Sequence, residues 1–198
     1  MLALHLLGIY RGPGALVYIA KPLTIVFLIA LVTIAPVSSK TYRTAVLIGL
    51  VLSLIGDILL MLPRDRFLAG LIAFAIAHCA YIVAFCVHTR FAARPLLFLP
   101  YAIAAVIIMR MLWPHIAPLR IPIVIYVVLL STMASQALIR ASMHPWPAAV
   151  AAATGAALFV VSDATLAIDR FRGSFRSAPA IIAITYTVAQ ALIAVSIG

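Results

Sequence analysis

Three charged side chains stand inside apolar runs of this chain: Lys21, Asp57 and Asp163. A charge at the centre of a membrane helix costs about 2.5–3.5 kcal/mol on insertion scales, so such residues face a protein interior or a cavity and mark function. His78, Tyr186 and Gln190 are further polar groups in runs of the same kind. Two carboxyl groups close together in a low dielectric cannot both ionise easily, and one lysine neutralises only one of them. Asp57 and Asp163 therefore read as an acid/base pair, one holding a proton and the other ionised beside Lys21.

The spacing of these residues predicts that they meet. Lys21 lies six residues past Ala15, Asp57 six before Pro63 and Asp163 six before Asp169. At helical rise all three sit about 9 Å below one face of a membrane. His78, eleven residues past Phe67, and Tyr186, eight past Ala178, come to about 12–17 Å from the same side. Ser53 and Asp57 share a helix face, as do Tyr186 and Gln190. Gly49, Ser53 and Gly56 make a small-residue stripe that admits a close neighbouring helix. His78 or Gln190 taken alone could equally serve as an interhelical hydrogen bond, and Ser131, Ser135 and Gln136 read as structural glue. Asp65 and Asp169 flank arginines at the ends of runs and read as solvated interface pairs.

The elements that must carry these residues are membrane helices. The chain is 67% apolar and 9% charged, with a mean hydropathy of +1.26, against about 45–50% and 25% in soluble domains. Charge and Pro/Gly clusters cut it into apolar runs at 15–36, 44–62, 67–88, 95–113, 121–140, 147–168 and 178–197. Each has the roughly 20 residues that cross about 30 Å of hydrocarbon. The opening run 1–10 is half that length, and reads as a short helix or as the end of a first span truncated upstream. The expected fold is all-α: one polytopic transmembrane bundle of about eight helices, forming a single domain over 1–198. Net charge is +10, but the basic residues stand singly or in pairs between runs. That pattern excludes a nucleic-acid stripe and reads as topology signal plus attraction to anionic headgroups. A slight excess of arginine in the odd-numbered connections places these in the cytoplasm. Cys79 and Cys86, about 10.5 Å apart at helical rise, are too distant for a disulfide and read as small buried hydrophobes.

A faint repeat is also present. Gly49–Leu60 aligns without gaps on Gly155–Leu166, each reading Gly, seven residues, Asp, two residues, Leu. The two runs lie four helices apart, so they point the same way, as in a 4+4 parallel repeat. That arrangement sets the two aspartates facing each other near a pseudo-twofold axis.

Lys21-Pro22-Leu23-Thr24, Ser53-Leu54-Ile55-Gly56-Asp57, Phe74 to Tyr81 around His78, Phe159-Val160-Val161-Ser162-Asp163, and Tyr186 with Gln190 occur in an order and spacing that resemble the YhhN family of membrane lysoplasmalogenases. The likeness runs from about Tyr10 to the C-terminus. It implies eight transmembrane helices and hydrolysis of the vinyl ether bond of lysoplasmalogens to a fatty aldehyde and a glycerophospho-alcohol. It implies a lysophospholipid substrate met in the membrane, with the catalytic set on Asp57, Asp163, His78 and Lys21. Tyr186, Gln190, Ser53, Ser162 and Tyr81 would contact substrate. In a bacterium the protein would lie in the cytoplasmic (inner) membrane, with a pocket that admits a single-chain lipid from the side of the cytoplasmic leaflet.

Such chemistry needs no cofactor. A zinc ion held by Asp57, Asp163 and His78 is the competing arrangement, disfavoured because two oxygens and one nitrogen are a minority zinc set. Two other readings of the same residues stay open: a small proton-coupled transporter, and a lipid-binding protein without catalysis. Transporters usually break helices at matching places in both halves, whereas Pro22 has no counterpart.

Overall fold

The computed structural model describes residues 15–63 and 65–198. The opening run 1–10, Arg11 and Arg64 lie outside the described residues. Seven α-helices are described, one for each apolar run: α1 (Ala15–Ile34), α2 (Lys40–Met61), α3 (Phe67–Cys86), α4 (Leu99–Leu112), α5 (Arg120–Met143), α6 (Pro147–Phe171) and α7 (Ala178–Val195). Short 3-10 turns lengthen α4 and α5, and six segments are long and apolar enough to cross a bilayer.

Helix ends follow local chemistry. Ser39 caps α2, its hydroxyl accepting from the Tyr42 amide at 3.4 Å. Proline opens α6 and α7 in the first turn, where the missing N–H has no helical partner to lose. Three helices outrun the apolar runs that predict them: α2 at its start, α6 at its end and α5, which reaches Met143, at both. Polar termini project beyond hydrocarbon at no cost, so α2 starts at Lys40 and α6 continues through Asp169 to Phe171. Arg170 in that last turn also complements the helix dipole. Pro22 is accommodated inside α1.

Packing repeats across the two halves. α2 lies along α3 as α6 lies along α7, α1 packs on α2 as α5 packs on α6, and the α1–α7 contact is matched by one between α5 and α3. The aligned glycines Gly49 and Gly155 mark equivalent close approaches. A Cβ on Gly49 would fall 2.2 Å from the Tyr81 ring of α3, and one on Gly155 would fall 2.8 Å from the Ala189 carbonyl oxygen of α7. The second obstacle is backbone and cannot swing aside. Gly155→Ala is therefore expected to part α6 from α7 and destabilise the bundle by about 1–3 kcal/mol, seen as an earlier thermal midpoint in detergent.

α4 stands apart. It buries only Leu112 and touches few neighbours, so it forms an outer wall over α5 and α6. Of the side chains expected to be glue, Gln136 bonds across elements, while Ser135 bonds within its own helix. Ser135 bonds the Ser131 carbonyl. Gln136, fully buried, accepts from the Ala92 amide and donates to the Phe85 and Arg90 carbonyls, tying the 87–94 loop to α5. Cys79 corrects an expectation: it is exposed on the outer face of α3, while Cys86 is partly covered. A small, weakly polar thiol is tolerated on an apolar outer surface as readily as in a core.

Candidate functional site

The polar groups gather toward the end of the bundle where α2 and α6 finish and α1 begins, as their spacing predicts. Around Asp57, which is fully buried, the Lys21 ammonium lies 2.8 Å from Oδ1 and the Tyr186 hydroxyl donates to Oδ2 at 2.7 Å. Gln190 Nε2 donates to the Tyr186 oxygen at 3.2 Å, and the Tyr81 hydroxyl donates to Gln190 Oε1 at 2.7 Å. Lys21 also sits over the Tyr186 ring, 4.9 Å from its centroid. Ser53, one turn before Asp57, is buried beside Tyr81. Every hydrogen bond in this chain of groups points toward Asp57, so the carboxyl accepts at Oδ2 and faces the Lys21 ammonium at Oδ1.

Asp163 is held differently. The Tyr126 hydroxyl donates to its Oδ2, and His78 Nε2 lies 3.1 Å from the Tyr126 oxygen and 3.9 Å from the carboxylate. Among the described residues no lysine or arginine pairs with it. Its side chain keeps 13% exposure, against none for Asp57. Phe159 stands between the two networks, edge-on to both His78 and Tyr186 at 5.0 and 5.4 Å between ring centres.

Both carboxyl groups border one cavity of about 290 Å³, near the lower bound for pockets that take small ligands. Lys21, Tyr126, Ser131, Ser162 and Tyr186 share its polar wall, and α2 to α7 supply an apolar remainder that includes Tyr101, Ile108 and Met109 of α4. Such a pocket suits a molecule with a small polar centre and a long apolar part. His78, Tyr81, Gln190 and Ser53 stand behind this wall and reach the cavity through Tyr126, Tyr186 and Asp57. Ser162 also bonds the Ile182 carbonyl of α7 at 3.4 Å, a helix-to-helix tie. Among the described residues no three His, Cys, Asp or Glu side chains converge as a metal ion requires.

Tyr126 is the site residue that sequence reasoning missed. It sits in an unbroken apolar stretch, Ile123-Val124-Ile125-Tyr126-Val127-Val128, where a tyrosine reads as an aromatic filler. Its signal is the repeat: Lys21 of α1 and Tyr126 of α5 fall one register step apart, each facing the aspartate of the next helix.

At the rim, Asp65 pairs with Arg170 at 2.7 Å, and that guanidinium covers the Phe67 ring at 4.2 Å. The Phe67 amide, and then Arg170, hold the Asp65 carboxyl below the ordinary value of 3.8. A lowered carboxyl adds stability above its unfolded value and loses it as pH falls through the folded one. Both groups are exposed, so screening keeps the contribution small. Asp65→Asn is expected to leave the thermal midpoint at neutral pH almost unchanged, and its small deficit to shrink as melts are taken below pH 3.8 and to vanish below the lowered folded value. Asp169 accepts from the Phe175 amide and closes the turn after α6.

These features define a multi-pass integral membrane protein with a largely apolar cavity inside its helices, bordered by two carboxyl groups. The YhhN family profile matches residues 16–197, and the chain belongs to that family. It is 29% identical over 184 residues to the membrane protein YhhN of Escherichia coli, covering 93% of this chain and 88% of that one. It is 34% identical over 151 residues to the lysoplasmalogenase TMEM86B of Sus scrofa, covering 76% of this chain and 62% of the relative. To a lysoplasmalogenase of Mycobacterium tuberculosis it is 34% identical, covering 62% of this chain and 48% of the relative. The chain spans less than two thirds of the length of the relatives that carry the lysoplasmalogenase name. No solved structure matches it.

Proposed function

We propose that this protein is a membrane-embedded lysoplasmalogenase-type hydrolase that cleaves the vinyl ether bond of a single-chain ether phospholipid. The observation that carries the reading is the pairing of Asp57 and Asp163 on the polar wall of an otherwise apolar cavity inside the helix bundle. Relatives named lysoplasmalogenase support it.

The chemistry matches what the cavity offers. A vinyl ether is cleaved by protonating the alkene carbon remote from oxygen, which yields an oxocarbenium ion that water captures. The resulting hemiacetal collapses to an aldehyde and an alcohol. An acid must therefore give a proton, and fixed negative charge must face the cation that forms. One carboxyl serves each need, and Lys21 keeps the pair from carrying two uncompensated charges in a low dielectric. Tyr186 holds Asp57, while the apolar walls of α4 to α6 take the hydrocarbon chain.

The test offers the purified protein three lysophosphoethanolamines that differ only at the first chain: vinyl ether, saturated alkyl ether and acyl ester. Aldehyde from the vinyl ether, with no product from the other two, is the expected result. Fatty acid from the acyl ester, or inertness toward all three, contradicts the reading.

A further inference from the structure

Both aspartates occupy the same place in the repeated architecture, yet the helices around them offer different chemistry. To Asp57, α1 presents Lys21 and α7 presents Tyr186. To Asp163, the matching helices α5 and α3 present Tyr126 and His78. We infer that the two carboxyls divide the reaction: Asp163 is the proton donor, and His78 and Tyr126 form a hydrogen-bond relay that stabilises it once the proton has left. This rests on the vinyl ether reading above and adds to it the roles of the two acids and of Tyr126.

Three observations carry the assignment. Asp57 is engaged at both oxygens, ion-paired with the Lys21 ammonium at Oδ1 and accepting at Oδ2 from a tyrosine whose own oxygen already receives the Gln190 amide, which favours its ionised form. Among the described residues Asp163 accepts only at Oδ2, and it is the more exposed of the two on the cavity wall. The relay is directional. His78 is fully buried, and its Nδ1 meets no hydrogen-bond partner among the described residues. A hydrogen there would be a buried orphan donor, so the ring hydrogen is placed on Nε2, facing the Tyr126 oxygen. Tyr126 in turn donates to Asp163. Each bond strengthens as negative charge appears on the carboxyl, which is when the transition state forms.

The steps balance with water as the only co-reactant. The Asp163 O–H bond breaks as a C–H bond forms at the alkene carbon remote from oxygen, using the alkene electron pair. Water then bonds to the oxocarbenium carbon and returns one proton to Asp163, restoring the acid. The hemiacetal C–O bond breaks as its hydroxyl proton passes to the glycerol oxygen. Nothing is oxidised or reduced. Asp163 is the catalytic residue here, and Tyr126 and His78 are positioning residues that act through it.

The composition makes the protonated group visible. The four acidic side chains are Asp57, Asp65, Asp163 and Asp169, and Asp65 and Asp169 accept hydrogen bonds at the rim. Infrared spectra of the untagged protein at neutral pH are expected to show one carboxylic C=O band. It should vanish in Asp163→Asn, shift up in frequency in Tyr126→Phe and stay in place in Tyr186→Phe. A band that survives Asp163→Asn, responds to Tyr186→Phe instead, or is absent from the wild type overturns the assignment. Kinetics on the vinyl ether lipid supply the second arm. Tyr126→Phe should lower kcat by about 10²-fold with KM unchanged. His78→Leu added to it should cost nothing more, and His78→Gln, which keeps an N–H donor, should outperform His78→Leu. Additive losses, or a loss confined to KM, overturn the relay. A wild type that shows the band pattern but releases no aldehyde contradicts the hydrolase reading while leaving Asp163 as the proton-holding carboxyl, so the two failures are told apart.

Discussion

Replacing Asp57 by asparagine is expected to destabilise the protein by about 3–5 kcal/mol and to stop turnover of the vinyl ether lipid. Removing one member of a buried ion pair leaves the other charge without compensation. Lys21 keeps only 17% exposure beside a carboxyl that has none, so its ammonium cannot regain full hydration once Asp57 is neutral. The Tyr186 hydroxyl loses a charged acceptor in the same step, and with it the orientation set by Gln190 and Tyr81. Pairing the change with Lys21→Met removes the stranded charge, and the double variant is expected to recover most of the stability and none of the activity. Thermal unfolding in detergent with an aldehyde assay on the same samples checks both halves. A single Asp57→Asn variant with wild-type stability would show that the ion pair is not what holds α1 against α2.

Asp163→Asn is expected to behave in the opposite way. Among the described residues Asp163 has no lysine or arginine partner to strand, and an asparagine carbonyl can still accept from Tyr126, so stability should change by less than about 1 kcal/mol. Turnover should nevertheless fall by about 10²–10⁴-fold, the range expected for loss of a general acid. Equal unfolding midpoints with activity near zero would separate this carboxyl from the structural role that Asp57 carries as well. If both variants proved equally unstable, the two half-sites would be doing the same job and the division of roles would fail.

Much of this arrangement is legible in the sequence because membrane burial makes polar residues informative. A lysine and two aspartates in hydrocarbon-length runs are costly enough to demand a reason. Helical rise alone puts them at one depth, and the structure brings them to one cavity. The Gly49–Asp57 and Gly155–Asp163 match also anticipates how α2 and α3, and then α6 and α7, pack. Azimuth is what the sequence conceals. Apolar residues surround a membrane helix on every side, so no polar stripe announces which face points inward. Tyr126 was hidden for this reason, and Cys79 read as buried although it lies on an outer surface. Depth counting also could not tell that Tyr81, Gln190 and His78 stand behind the cavity wall, because that depends on how far each helix is rotated against its neighbours. The start of α2 and the ends of α5 and α6 run past their apolar runs for a related reason: hydropathy reports where hydrocarbon stops, while backbone hydrogen bonding decides where a helix stops.

The catalytic role of Asp163 is tested by incubating detergent-purified wild type and Asp163→Asn with lysoplasmenylethanolamine and measuring fatty aldehyde and glycerophosphoethanolamine together. Equal molar release of both products by the wild type and almost none by the variant, at matched thermal stability, is the expected result. A folded wild type that releases neither product, or an Asp163→Asn variant that works at the wild-type rate, would contradict it.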